Sequence, residues 1–372
     1  MMKIVRLVIT YQVCLFLLLG SAACEDSDET VGSDLIEQTQ IPFGAPRTFR
    51  LGFGDSMNSG SAERVSENWD RMSQSAEAIV VNWQVSTDEF LDGEFSVSEG
   101  YGDRVVALKT EISNRDLDLI LLIEVFDSSG DEIIFAHRKS GSEPTSDRKF
   151  FQALDNELRF LARNLSPWAL ILGNEVNLAF ESNPDLYFQY AAEYRNLYKS
   201  IKAVDSTVLV APSFAYEEFV GVALYSGIHP PRWELLSAYE GVMDMFAIST
   251  FPSFVYPTAL SIPSDYYSSI KLHTDAPLFV LQTGFHVGEG YSDQQMTTVS
   301  EQRRYVERLF DEADALDALL ISWYLLQDSD QFPRSYRALG TTGLYDILGN
   351  PKPSWAAWSG ITRRPMAVPS LN

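Results

Sequence analysis

The stretch Trp168-Ala169-Leu170-Ile171-Leu172-Gly173-Asn174-Glu175-Val176-Asn177 decides how the rest of the chain is interpreted. Pro167 precedes an apolar run, which ends at a glycine, an amide and a carboxylate. A run of this kind predicts a β-strand that is covered on both faces, as in a parallel sheet. Parallel strands carry their functional groups at their carboxyl ends. We therefore expect Asn174 and Glu175 to face a binding site, although a glutamate at a strand end can also simply be solvated by its loop.

Seven further apolar runs flank this one, and segments with helical spacing separate most of them. The clearest helical segments are Phe150 to Leu161, Asp185 to Lys202 and Tyr305 to Leu316, in which apolar residues recur at steps of three and four. The predicted strands are Phe49 to Phe53, Ala78 to Trp83, Leu117 to Val125, Ala169 to Asn174, Val208 to Pro212, Val242 to Ser249, Leu278 to Leu281 and Ala318 to Leu325.

Eight strands that alternate with helices predict an α/β fold with a parallel sheet. Eight is the number that closes a (β/α)₈ TIM barrel, and we expect a single barrel over residues 47–364. An open, doubly wound sheet is the alternative. Gly52-Phe53-Gly54-Asp55 after the first strand is too short for a nucleotide-binding fingerprint, and no cofactor is predicted.

Residues 1–23 are typical of a secretory signal peptide, with two basic residues, an apolar stretch densest from Val13 to Leu19, and small residues before Cys24. The apolar stretch is too short to predict a membrane span. Cleavage before Cys24 would leave a cysteine at the new N-terminus, which resembles a bacterial lipoprotein. We therefore expect export and a lipid anchor on Cys24 at the cell envelope. Plain secretion is the alternative, because Ser21 stands where such signals usually carry leucine.

The segment from residue 24 to 46 is acidic and has few large apolar residues, which predicts a flexible tether. Residues 365–372 form a short polar tail. Removal of the signal peptide changes the net charge from −23 to about −25, because this peptide holds two basic residues and no acid. Such a charge disfavours nucleic acid and anionic lipid headgroups as partners, and it is compatible with a neutral or cationic ligand.

The predicted strand ends are rich in aromatic, amide and carboxylate side chains. They lack a cluster of metal ligands, and the four histidines are scattered, so no metal site is predicted. A sugar ring packs its C–H faces on aromatic rings, and its hydroxyls need paired donors and acceptors. The set therefore favours a carbohydrate ligand, although any single aromatic residue is better explained as part of the barrel core. The residues concerned are Trp83, Glu124, Asn174, Glu175, Phe251, Gln282, Trp323 and Asp328.

Several of these motifs, taken in order, resemble the retaining glycoside hydrolases built on TIM barrels, such as cellulases, mannanases and endo-galactanases. They are Gly173-Asn174-Glu175, Thr283-Gly284, Trp323 and the segment Gly343-Leu344-Tyr345-Asp346-Ile347-Leu348-Gly349-Asn350-Pro351-Lys352-Pro353-Ser354-Trp355. The resemblance extends from about residue 47 to the end of the barrel. It implies that Glu175 is the general acid/base, that Asn174 binds the hydroxyl next to the reacting carbon, and that Trp323 forms the floor of the sugar subsite.

The same resemblance places Gln282 where the family carries its nucleophilic glutamate. Retaining hydrolysis needs two carboxylates about 5–5.5 Å apart, and an amide is a poor nucleophile. Phe251 stands where the family usually has a tyrosine that hydrogen-bonds the nucleophile, although Tyr256 lies nearby. A second catalytic group would then have to come from Glu124 or Glu289, for which an inverting mechanism with carboxylates about 6.5–9.5 Å apart leaves room.

Three functions therefore remain open from the sequence. The first is a glycosidase that acts on a β-linked glycan with altered chemistry, and the second is a carbohydrate-binding surface lipoprotein without turnover. The third is a barrel that serves as a scaffold for protein interactions. The sequence specifies neither the sugar and its linkage nor the oligomeric state.

Overall fold

A computed structural model describes residues 44–54, 62–91, 97–126, 147–222, 227–290 and 296–367. The predicted signal peptide, Cys24 and the predicted tether up to residue 43 lie outside the described residues, as do residues 368–372. Export, lipidation and the tether therefore stay predictions.

All described strands belong to one parallel sheet whose order is β5-β4-β3-β2-β1-β9-β8-β7-β6. The strands are β1 (Arg50–Gly54), β2 (Ala78–Trp83), β3 (Asp118–Ile123), β4 (Ala169–Leu172), β5 (Leu209–Ala211), β6 (Ser213–Ala215), β7 (Phe246–Thr250), β8 (Leu278–Thr283) and β9 (Leu320–Trp323).

The fifth barrel strand consists of two halves, β5 and β6, on either side of Pro212. Proline has no N–H to donate to a strand ladder, which explains the interruption. The lower half pairs with β4 and the upper half pairs with β7, so the two ends of the sheet order meet at adjacent residues. The Ser213 amide also donates to the Gly173 carbonyl (3.0 Å), and the Asp244 amide donates to the Val210 carbonyl (3.0 Å). The sheet is therefore a closed eight-stranded barrel, as predicted, and the open sheet is ruled out.

Each predicted strand is present, but several end earlier or begin later than the apolar runs suggested. The fourth strand ends at Leu172 instead of Asn174, because the backbone turns at Gly173 (φ +89°) and Glu175 (φ +50°). A Cβ on residue 173 would lie 2.6 Å from Val176 Cγ1, so only glycine fits this turn. The sixth barrel strand begins at Phe246 instead of Val242, and the eighth begins at Leu320 instead of Ala318.

Helices cover the outside of the barrel and bury the faces that the sequence predicted. The periodic positions Phe150, Phe151, Leu154, Leu158 and Leu161 are all buried, as are the periodic positions from Tyr305 to Leu316. The helices are α1 (Ala62–Ser73), α2 (Glu99–Arg115), α3 (Asp147–Leu165), α4 (Asn177–Ser182), α5 (Pro184–Val204), α6 (Tyr216–Phe219), α7 (Val299–Ala315) and α8 (Pro353–Thr362). Short 3₁₀ turns, such as Trp233–Tyr239, replace long helices after β6 and β7.

The core has two layers, one between strands and helices and one inside the barrel. The inner layer is filled by alternate strand residues: Ala78, Val80, Ile120, Leu122, Ala169, Ile171, Ala211, Met245, Ala247, Phe279, Leu281 and Leu320. At the amino ends of the strands Arg50 forms an ion pair with Asp118 and stacks over Trp168 (4.3 Å). This end of the barrel is therefore closed, and the carboxyl ends remain for a binding site.

The two terminal segments of the described domain meet at that closed end. The Arg47 amide donates to the Pro365 carbonyl (2.9 Å), and the Ala367 amide donates to the Arg47 carbonyl (2.8 Å). The Arg47 side chain is buried and forms an ion pair with Glu77. Across the described residues, we find no helix with the length and apolar character needed to cross a membrane.

Candidate active site

Polar residues continue the inner layer of the barrel at the carboxyl ends of its strands. Side chains alternate along a strand, so a residue two positions after an inner apolar residue also points inward. By this alternation, Glu124 comes after the inner residues Ile120 and Leu122, and Ser249 comes after the inner residue Ala247. The residues at this level are Asn82, Glu124, Ser213, Ser249, Gln282 and Ser322.

Glu124 and Asn174 are joined directly at this level. Asn174 Nδ2 donates to Glu124 Oε1 (3.0 Å), and Ser213 Oγ donates to Asn174 Oδ1 (3.0 Å). The Glu175 amide donates to Ser213 Oγ (2.8 Å), which fixes the left-handed backbone of Glu175. All three side chains, those of Glu124, Asn174 and Glu175, are half-buried. The structure therefore brings together three of the residues that the sequence singled out.

The two carboxyl groups of this cluster influence each other. The pKa of Glu124 rises from its ordinary value of 4.5 to about 7, first because burial disfavours its charged form and second because Glu175 is close. The hydrogen bond from Asn174 opposes this rise. Two interacting carboxyls titrate as a pair, so the pair retains one proton up to near-neutral pH.

This raised pKa predicts how stability depends on pH. Between about pH 4.5 and pH 7 the unfolded chain loses the Glu124 proton while the folded chain keeps it, so the free energy of unfolding falls as pH rises through this range. Glu124→Gln keeps an oxygen that can accept from Asn174 and removes the titration. We expect the melting temperature of this variant to fall less between pH 4.5 and pH 7.5 than that of the native protein. Parallel curves for the two proteins would contradict the assignment.

Gln282 also faces the barrel interior. The next residue, Thr283, points outward, because its Oγ1 lies 2.7 Å from the hydroxyl of Tyr305 on α7. A register shift next to Gln282 in both strand pairs indicates a β-bulge, and Gln282 pairs with Ser249 of β7. Only 7 % of Gln282 is exposed. A neutral amide therefore stands among the inward-facing groups at the end of β8.

Trp83 and Trp323 were expected in the sugar site, but the structure places both in the outer layer. Trp323 is fully buried, packs against Trp358 of α8 (6.2 Å between ring centroids), and donates from Nε1 to the Thr342 carbonyl (2.7 Å). Trp83 is 4 % exposed and donates from Nε1 to the buried Glu157 (3.1 Å). Neither indole has a free face for a sugar, because each lies on the side of its strand that faces the helices.

Asp328 was also expected to bind substrate, but the structure gives it another role. It forms an ion pair with Lys352 (2.7 Å) and accepts from the Gly343 amide (2.9 Å). Burial raises the pKa of Asp328 and lowers the pKa of Lys352, while their mutual attraction opposes both shifts. The Gly343 to Trp355 segment is thus fastened to the end of β9 by this pair.

Asp328→Asn should therefore destabilise the fold. Lys352 would keep a hydrogen-bond acceptor but lose its counter-charge in a site where its side chain is only 6 % exposed. We expect the free energy of unfolding to fall by about 1–3 kcal/mol, the range for removing a partner from a buried polar group. Urea unfolding measures this change, and the exposed pair of Arg303 and Glu307 offers a control in Glu307→Gln. A loss no larger than that of the control would contradict the structural role.

Phe251 and Glu289 differ in their surroundings. Phe251 is half-buried and contacts Tyr324 edge-on (5.4 Å) and Phe254 (6.0 Å). Tyr324, the neighbour of Trp323, is itself half-buried at the end of β9 and offers an aromatic surface that the sequence interpretation did not single out. Glu289 is exposed, beyond the bridge between Gly288 and Thr297. The hydrogen bond to Asn174 and the closeness of Glu175 thus favour Glu124 over Glu289 as the candidate second catalytic group.

A further carboxylate, Glu217 on α6, was missed from the sequence. It accepts hydrogen bonds from Thr250 Oγ1 (2.7 Å) and the Tyr266 hydroxyl (2.8 Å), and burial raises its pKa. Thr250 Oγ1 also lies 2.9 Å from the Tyr267 hydroxyl, so Glu217 holds the segment after β7 against α6. It was not counted among the strand ends because the predicted fifth strand stopped at Pro212, whereas β6 continues to Ala215. In the part of the chain that the structure describes, no group of three His, Cys, Asp or Glu side chains could hold a metal ion.

Neither a family model nor a curated protein sequence matches this chain. Solved structures do. The exo-β-1,4-mannosidase Op5Man5 from Opitutaceae bacterium strain TAV5 superimposes with a TM-score of 0.61 at 14 % identity over 87 % of this chain, which spans 61 % of the mannosidase. A GH5_18 protein from Streptomyces cattleya, solved with GlcNAc, gives 0.60 at 13 % identity, with 87 % and 83 % of the two chains covered.

Xylanase 10B from Thermotoga maritima gives a TM-score of 0.58 at 11 % identity, with 85 % of this chain and 95 % of the xylanase covered. Identities this low establish the shared fold and leave the activity open. The chain thus has the parallel (β/α)₈ barrel fold of its structural neighbours, which are glycoside hydrolases that include a mannosidase and a xylanase.

Proposed function

We propose that this protein is a glycoside hydrolase that acts on a β-linked oligosaccharide or polysaccharide, with Glu175 as its general acid/base. The observation that carries the proposal is the cluster of Glu124, Asn174 and Glu175 at the carboxyl ends of β3 and β4. The shared fold with a β-1,4-mannosidase and a xylanase supports the choice of β-linked glycans.

The chemistry follows from the protonation of the pair. Cleavage of a glycosidic bond needs a proton on the departing oxygen, and an acid works best when its pKa is near the working pH. Glu175 donates that proton. We assign Glu124 as the non-standard second group because it lies beside Glu175. Burial and the nearby Glu175 raise the pKa of Glu124 to about 7, so the pair holds a proton near neutral pH. Asn174 binds Glu124 and keeps the two carboxyls at the barrel opening.

One observation favours a second candidate, a carbohydrate-binding protein without turnover. Gln282 occupies the strand end at which the resemblance expects the nucleophile, and its amide has no charge to stabilise an oxocarbenium-like transition state. Half-buried Phe251 and Tyr324 would still offer rings for a sugar. In this candidate the cleft captures glycans and releases them unchanged.

Product release from a panel of neutral β-linked oligosaccharides separates the two candidates. We expect the native protein to release product and Glu175→Gln to release none. A native protein that binds without product, together with a Gln282→Glu variant that gains turnover, would support the second candidate instead. If neither protein binds an oligosaccharide by calorimetry and neither releases product, both candidate functions are contradicted.

We also propose that the protein is exported and anchored to the cell envelope by a lipid on Cys24, which lies outside the described residues. When the full chain is expressed in bacteria, we expect it to partition into the detergent phase of a Triton X-114 extraction. Cys24→Ser should move it to the aqueous phase. An aqueous native protein would indicate plain secretion.

A further inference from the structure

Among the strand ends that the structure describes, the charged groups at the barrel opening lie on one side. Glu124 and Glu175 follow the neighbouring strands β3 and β4. Among the described strand ends on the opposite side, β7, β8 and β9 present Ser249, Gln282 and Ser322 to the interior, and none of these is charged. Hydrolysis by two carboxylates needs them to flank the scissile bond. This arrangement supplies an acid on one side and leaves the attacking group unassigned.

The two serines on the neutral side have unsatisfied hydroxyls. Ser249 is 1 % exposed and Ser322 is fully buried, and neither Oγ has a hydrogen-bond partner in the described structure. Register places them on the strands that flank Gln282, with Ser249 opposite Gln282 and Ser322 beside the bulge. Leaving a buried hydroxyl unpaired costs about 1–3 kcal/mol. An occupant with polar groups of its own would remove this cost.

The row formed by Ser249, Gln282 and Ser322 selects for an uncharged group that both donates and accepts. A glutamine side chain offers an amide N–H and a carbonyl oxygen, and each serine hydroxyl can donate or accept. A carboxamide is complementary to this set, because its N–H can bond the Gln282 carbonyl while its oxygen accepts from a hydroxyl. Sugars carry a carboxamide in the form of the 2-acetamido group.

We infer that the substrate is a β-linked 2-acetamido-2-deoxy sugar, and that its own acetamido oxygen takes the place of a protein nucleophile. This inference rests on the proposed function, since it requires Glu175 as the acid. In the first step the acetamido oxygen bonds to the anomeric carbon while the bond from that carbon to the glycosidic oxygen breaks. The departing oxygen takes the proton of Glu175, which leaves an oxazolinium ion and a Glu175 carboxylate.

In the second step water opens the ring. The Glu175 carboxylate takes a proton from water, the water oxygen bonds to the anomeric carbon, and the bond to the acetamido oxygen breaks. The acetamide and the protonated Glu175 are both regenerated, and the anomeric configuration is retained. No second carboxylate opposite Glu175 is needed, which explains how a neutral Gln282 is compatible with turnover. Substrate-assisted glycosidases show that this chemistry is feasible in proteins.

A series of aryl 2-acetamido-2-deoxy-β-glucosides tests the inference. Successive fluorine atoms on the acetamido methyl withdraw electrons from the carbonyl oxygen and weaken it as a nucleophile. We expect kcat of the native protein to fall with each added fluorine, and we expect a thiazoline analogue of the oxazolinium ion to inhibit. A kcat that does not change across the series would overturn the inference.

Two comparisons keep this test separate from that of the proposed function. If the native protein cleaves the corresponding glucoside or mannoside without an acetamido group equally well, the inference fails and the proposed function stands. If Glu175→Gln retains full activity, the proposed function fails as well. Absence of turnover on the whole acetamido series overturns the inference even where other glycans are cleaved.

Variants of the two serines in the row formed by Ser249, Gln282 and Ser322 provide the second readout. Ser249→Ala and Ser322→Ala each remove one hydroxyl, and we expect KM for the acetamido substrate to rise by up to about tenfold, the equivalent of one net hydrogen bond. Ser359→Ala on α8 is the matched control and should leave KM unchanged, because the Ser359 hydroxyl is half-buried and donates to the Ala356 carbonyl of its own helix. An unchanged KM in both row variants, with a normal melting temperature, would contradict binding of the acetamido group by this row.

Discussion

Glu175→Gln is expected to lower kcat by about 10²–10⁴-fold, the contribution usual for a general acid/base. The amide has almost the same shape as the carboxyl group, so the backbone turn at Gly173 and the bond from the Glu175 amide to Ser213 Oγ should persist. It has no proton to give to the departing oxygen, and it cannot take one from water. The variant also removes the neighbour whose charge contributes to the raised pKa of Glu124.

Steady-state kinetics on the best substrate of the panel measures this effect. Glu240→Gln is the control, because Glu240 is an exposed carboxylate on the turn that precedes β7. The melting temperature of both variants should lie close to that of the native protein. Departing groups that need little protonation, such as dinitrophenol, should recover part of the lost rate. A Glu175→Gln variant with native kcat on an alkyl glycoside would remove Glu175 from the mechanism.

Trp323→Ala is expected to lower the free energy of unfolding by about 3–5 kcal/mol, as is usual when a buried tryptophan is truncated. Trp323 fills the space between β9 and α8 against Trp358 and Tyr305. Its loss leaves a cavity and an unpaired Thr342 carbonyl. A domain of this kind is typically stable by about 5–15 kcal/mol, so the variant should show a greatly lowered denaturant midpoint.

Trp355→Ala provides a comparison for this prediction. Trp355 lies on α8, the helix against which Trp323 packs. Trp355 is half-buried and packs on Tyr345 (4.8 Å), so its truncation should cost less. Equal losses in the two variants would contradict the position of Trp323 in the core. If Trp323→Ala were stable and lost only sugar binding, the role implied by the family resemblance would be restored.

The barrel could be predicted from the sequence because its signals are local and repeated. Each buried parallel strand is a short apolar run, and helices such as α3 and α7 show one apolar face at steps of three and four. The split of the fifth strand at Pro212 could also have been expected, since proline cannot donate to a ladder. The exact strand ends could not, because they depend on turns such as the one at Glu175.

The candidate site was only partly predictable. Glu124, Asn174 and Glu175 follow their strands closely, and the structure joins them. Trp83 and Trp323 were expected in the site because they too end strands, but a strand alternates its faces, and a shift of one residue exchanges the inside for the outside. The inward-facing neighbour of Trp83 is Asn82, which is exposed at the opening.

The position of Asp328 illustrates a different limit. An acid just after the last strand looks like a substrate ligand from the sequence. Its partner Lys352 lies 24 residues further along, and only the folded chain shows that the two side chains are 2.7 Å apart. The bulge beside Gln282 places it in a row with Ser249 and Ser322, and this bulge likewise depends on the pairing of β8 with two other strands.

The meeting of Arg47 with Pro365 and Ala367 fixes where the described domain begins, at the amino ends of its strands. The chain enters at the amino ends of the strands, so the barrel opening lies at the far end of the molecule from its point of attachment. If the protein is held through Cys24, its tether therefore joins the domain at the end opposite the cleft and leaves the opening uncovered. The 22 peptide units from residue 24 to 46 could span at most about 75 Å, which sets how far from the membrane the cleft can reach beyond the barrel's own length.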